Sequence, residues 1–201
     1  DLVNLIEAEL EALVEEEPAR GALLGRVAEI KEFKLEDLPG AARSYEAVLE
    51  AKPNAPDAYA GLERTYTQLG RWAELCRVLR SRAEATEDDA DRVAILYQVA
   101  DLLSERIGDD AAAMDVYEEA LKLSSTSAPT SWALERLLLE GRMRDRLAVL
   151  YREQLPRIMG GRQQAIVRHK LAELLSPAEA QEVLDPLIET GDVDALWADV
   201  R

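Results

Sequence analysis

The chain has 201 residues, long enough to bury a core without covalent staples, and its 48% apolar, 32% charged and 5% aromatic residues are the balance of a helical protein rather than a sheet protein. Forty acidic against 24 basic residues leave a net charge of −16, which argues against nucleic acid as a partner, because phosphate binding draws its affinity from lysine and arginine. Cys76 is the only cysteine, which excludes an internal disulfide and a cysteine-based zinc site and favours a reducing, cytoplasmic compartment; no apolar run of about eighteen residues is present to span a bilayer.

Asp1 to Glu15 (DLVNLIEAELEALVE) reads as the second helix of a hairpin whose first helix is missing, by analogy with Trp72 to Glu84. Five helix hairpins are predicted after it, over residues 18–51, 55–84, 89–123, 128–157 and 162–190, and residues 192–201 begin a further helix. Within the third hairpin Val93, Leu96, Val99, Ala100, Leu103 and Ile107 follow the 3.6-residue period of one buried helix face. Ser176-Pro177-Ala178-Glu179 is a helix start with a capping box, and Thr86 to Asp89 has a similar pattern with Asp in place of Glu. Gly70, Gly108, Gly141 and Gly191 stand where helices should stop, since glycine accepts left-handed geometry there. No window of alternating apolar and polar residues is long enough for a strand. The opening at Asp1, without Met or a signal, reads as a single domain cut from a longer protein.

The hairpins repeat. Val27, Val99 and Leu171, in RVAEI, QVADL and KLAEL, stand 72 residues apart, and the same offset lays GDDAAAMDVYEEALKL (Gly108 to Leu123) on Glu36 to Ala51, pairing Ala113 with Ala41 and Tyr117 with Tyr45. The intervening hairpins pair as well, with short length adjustments: Pro56 meets Pro129, Tyr59 meets Trp132, Leu62 meets Leu134 and Gly70 meets Gly141. The elementary unit is therefore about 36 residues of helix, turn and helix. Small residues at Ala41 and Ala113 let helices cross closely, and the tyrosine one turn on fills the gap towards the next repeat.

These residues resemble the tetratricopeptide repeat family. The match rests on Leu24, Val27, Ala28, Ala41, Tyr45, Val48 and Pro53, and on Leu96, Val99, Ala100, Ala113, Tyr117 and Ala120. In the intervening hairpin Leu75 and Arg82 depart from the alanines usual in that family. The resemblance implies an all-α, right-handed solenoid of stacked antiparallel hairpins whose first helices line a concave groove for a partner protein or peptide. It implies a scaffold and no enzyme; a regulatory or sensory module of a larger multidomain protein is the alternative. By the family's geometry the groove takes Gly25, Glu29, Glu32, Arg64, Tyr97, Asp101, Ser104, His169 and Glu173, a mainly acidic row that suits a partner with basic residues.

Other chemistry finds little support. His169 is the only histidine, and with Glu173 one turn on it supplies two metal ligands where a site needs three or four, so neither a metal nor a cofactor is expected. No nucleophile has a partner base, and Cys76, between Leu75 and Val78, reads as a small core residue. One segment departs from the overall charge: Arg142, Arg144, Arg146, Arg152, Arg157, Arg162, Arg168 and Lys170 face only Asp145 and Glu153, a local net of +6. Such segregation suits docking onto an acidic surface, in a second copy or in the rest of the same chain.

Overall fold

A computed structural model of the chain describes residues 17–125 and 127–190, so the predicted helices at 1–15 and 192–201 lie outside the described residues. Ten α-helices run through them: α1 (Glu17–Phe33), α2 (Leu38–Ala51), α3 (Pro56–Leu69), α4 (Trp72–Ala85), α5 (Asp89–Leu102), α6 (Asp110–Leu123), α7 (Ala128–Glu140), α8 (Arg144–Gln154), α9 (Gly161–Ala172) and α10 (Pro177–Thr190). A π turn, Leu103–Ile107, extends α5, and a 3₁₀ turn, Leu155–Arg157, follows α8. No strand occurs among the described residues. The fold is all-α, of the solenoid type built from stacked helix hairpins.

The chain divides into two compact units, Asp1–Val116 and Tyr117–Arg201. In the first, α1, α2, α3, α4 and α5 pack in succession; in the second, α7, α8, α9 and α10 do the same.

The 72-residue repeat is written into the backbone. Asp37 N–H donates to Lys31 O and Asp109 N–H to Leu103 O, both at 2.8 Å, closing a turn one residue wider than a Schellman motif. The same two aspartates cap the next helix, accepting at 3.0 Å from Gly40 N–H and Ala112 N–H. Left-handed residues obey the offset too: Glu36 and Gly108 form one pair, Gly70 and Arg142 the other.

That second pair corrects the expectation for Gly141, whose φ is −75°; Arg142, at φ 53°, is the left-handed residue. Glycine on glycine (Gly70, Gly141) stands one residue short of the 72-residue offset, and proline on proline (Pro56, Pro129) one residue beyond it. Helix starts at Pro56 and Ala128 restore the 72-residue offset, so Tyr59 corresponds to Ser131, both buried, and Trp132 to Ala60, both exposed. Gly191 lies outside the described residues.

Two further expectations change. Thr86 ends α4 rather than starting α5, its hydroxyl donating back to Arg82 O, while Asp88 caps α5 by accepting from Asp91 N–H at 2.9 Å. On α5 Val93, Leu96, Val99 and Ala100 are buried as the period predicts, but the π turn shifts the phase and leaves Ile107 42% exposed. The Ser176 start forms its box, with Glu179 accepting from both the N–H and the hydroxyl of Ser176.

Packing at the hairpin crossings follows side-chain size. Ala41 and Ala113 are wholly buried. Tyr45 lies flat against Gly61 of α3, so close that a Cβ added there would overlap the ring. The tyrosine thus reaches into the next hairpin, and the glycine makes room for it.

Candidate interaction surface

In the first unit α1 presents Gly25, Glu29 and Glu32 along one side. Glu29 is exposed, but Glu32 is only 6% exposed. Arg64 of α3 donates to it from Nε at 2.8 Å and from Nη2 at 2.9 Å, and the Tyr45 hydroxyl from α2 donates at 2.7 Å. Burial alone would raise the Glu32 carboxyl; the bonds from Arg64 and Tyr45 outweigh it and hold the group below its ordinary range. Burial and the bond to Glu32 push the Tyr45 phenol well up. Arg64 also lies 5.4 Å above the Phe33 ring, which is 62% exposed. Two of the predicted groove residues therefore form a neutral three-helix clamp.

Tyr97, Asp101 and Ser104 follow one another on α5 and its π turn. Tyr97 is half-buried, Asp101 is exposed, and the Ser104 hydroxyl donates to Asp110 at 2.7 Å. No ion pair links Glu29 or Asp101 to another described residue. Beside Glu29 opens a cavity of about 540 Å³ between α1, the end of α2 and the start of α3, floored by Tyr45, Val48, Ala51, Ala55 and Ala58.

In the second unit His169 Nδ1 and Glu173 stand 3.6 Å apart, both exposed. The clamp recurs here with other residues: Glu135 of α7 accepts from Tyr151 of α8 at 2.7 Å and from Lys170 of α9 at 2.6 Å. Nothing in the 72-residue offset announces it. Most of the basic segment is engaged within the unit. Arg146 pairs with Glu118 at 2.7 Å and Arg152 with Glu179 at 3.8 Å, while Arg144 and Arg168 donate to the carbonyls of Glu173 and Val183. Arg142 and Arg157 are exposed, and Arg162 is an exposed residue that has its own partner.

Trp132 was missed by the sequence reading: it is 67% exposed, with Leu139 two turns on at 55%. Its one-residue misplacement onto Tyr59 hid it, and the strict 72-residue offset to Ala60 was the signal that could have found it. Cys76 is buried, and burial pushes its thiol up, so it is a core residue. Among the described residues no group of three His, Cys, Asp or Glu side chains could hold a metal, and no helix is long and apolar enough to cross a membrane.

Residues 58–93, most of α3, all of α4 and the start of α5, match the family described as tetratricopeptide repeat. No curated protein matches the sequence. Among solved structures the chain is similar to YrrB, described as a TPR protein with an unusual peptide-binding site, at 16% identity over 98% of each chain and a TM-score of 0.44. It is similar to a tetratricopeptide repeat protein from Parabacteroides merdae at 15% identity, covering 93% of this chain and 71% of that one with a TM-score of 0.46. A third, the thermophilic TPR protein TTC0263 of Thermus thermophilus, shares 18% identity over 90% of this chain and 93% of its own, with a TM-score of 0.35. Residues 58–93 are thus similar to a tetratricopeptide repeat, and they lie within the succession of helix hairpins that the described residues form.

Proposed function

We propose that the chain is a non-enzymatic interaction scaffold whose first unit receives a partner protein or peptide through the acidic side of its first helices. The supporting observation is the pair of exposed carboxylates at Glu29 on α1 and Asp101 on α5, neither in an ion pair with a described residue, while Glu32 of α1 and Arg64 of α3 cancel each other. Exposed carboxylates steer a cationic partner and select against anionic ones, so the partner carries Lys or Arg. Glu29 and Asp101 supply charge, and Tyr97 adds an apolar contact.

Binding of lysine-rich synthetic peptides, read by fluorescence anisotropy at low salt, tests this. The double variant Glu29→Lys/Asp101→Lys should bind them at least about tenfold more weakly, with no fall in Tm because both positions are exposed. Equal affinity for wild type and variant would sink the assignment.

A further inference from the structure

The cavity beside Glu29 differs from an ordinary packing gap in three respects. Its volume, about 540 Å³, is that of a pocket for a small ligand or a side chain rather than a void between helices. It is bounded on the α1 side by Gly21 and Gly25, a helical turn apart in a helix interior, where glycine is a destabilising choice. Neither glycine has positive φ, and a Cβ added at either meets nothing within 4 Å, so no packing or backbone need among the described residues explains them. Finally, the rim carries charges of both signs, Arg26 and Glu29 on α1 and Lys52 and Asp57 at the α2–α3 junction, and no ion pair joins any of the four to a described residue.

From the apolar floor and this mixed rim we infer that the hollow is the anchor site for one bulky apolar side chain of a partner peptide, flanked in that peptide by a basic residue on one side and an acidic residue on the other. The floor of Tyr45, Val48, Ala51, Ala55 and Ala58 offers only apolar contact to an inserted side chain. The four rim charges gain partners only from a segment that brings both signs. This rests on the reading of the first-helix side of the first unit as the partner-binding side, and it adds to that reading the residue that enters.

The probes are short synthetic peptides with Lys and Glu flanking a central Leu, the same peptides with central Ala, and an all-lysine peptide without an apolar centre. The Leu peptide should bind wild type roughly tenfold more tightly than the Ala peptide. Gly25→Leu fills the hollow with a better helix former, so it should erase that preference while melting no lower than wild type. Equal binding of the Leu and Ala peptides, an undiminished preference in Gly25→Leu, or no binding of either peptide overturns the inference. A wild-type dimer that Gly25→Leu dissociates also overturns it, assigning the hollow to a second copy. Asp101 lies outside the cavity and separates the two readings. If Asp101→Lys weakens the all-lysine peptide while Gly25→Leu changes nothing, the acidic side stands and the anchor falls.

Discussion

Glu32 occupies a first-helix position that family geometry would give to an open acidic side, yet it is buried against Arg64 and Tyr45. Its folded-state pKa lies below the unfolded value. The clamp therefore contributes stability that is fully present above the ordinary carboxylate range, about pH 4.3, and is lost as pH falls through the lowered folded value. Glu32→Gln should cost about 1–3 kcal/mol at neutral pH, and urea titrations should show the difference from wild type shrinking in acid; a gap independent of pH would contradict the clamp. Gly61 makes a sharper test. Tyr45 cannot retreat, because its hydroxyl is held by Glu32, so Gly61→Ala should destabilise by about 1–3 kcal/mol through overpacking, although alanine is the better helix former. A neutral or stabilised Gly61→Ala would show that the ring moves freely.

At the scale of the elements, the turns between paired helices carry the repeat. Glu36 and Arg142 hold the left-handed conformation that Gly108 and Gly70 hold one period away. Left-handed strain in a non-glycine residue, about 1–2 kcal/mol, exceeds glycine's extra chain entropy of about 0.5–1 kcal/mol. Glu36→Gly and Arg142→Gly should therefore each raise Tm, and Gly70→Ala and Gly108→Ala should lower it, as thermal melts would record. The helices themselves were legible because burial on a 3.6-residue period and the small-residue crossings leave direct marks at Val27, Val99 and Ala41. The turns were legible only in part: Gly141 beside Arg142 looks like a stop, and composition cannot say which of two neighbours turns left-handed. The candidate surface was least legible. Whether a carboxylate on a first helix faces solvent, as Glu29 does, or a cation from the next hairpin, as Glu32 does, depends on a contact between residues 32 positions apart.

For the whole molecule, a net charge of −16 does not by itself make an acidic binding face. The charge left over after internal pairing decides that. In the second unit Arg146, Lys170 and Arg152, three of the eight basic residues of the segment, pair with Glu118, Glu135 and Glu179, whereas in the first Glu29 and Asp101 form no ion pair with a described residue. An interaction held by such residues weakens as salt screens it, over a Debye length of about 8 Å at physiological ionic strength. The most direct measurement is capture from a lysate on immobilised wild-type chain and on Glu29→Lys/Asp101→Lys, with Glu50→Lys/Glu84→Lys as a control of equal charge change at exposed second-helix positions, each eluted by a salt step. The prediction is a polypeptide released by salt from wild type and control and not retained by the first variant. Equal retention by all three, or nothing retained above bare matrix, would contradict an acidic side that recognises a cationic partner.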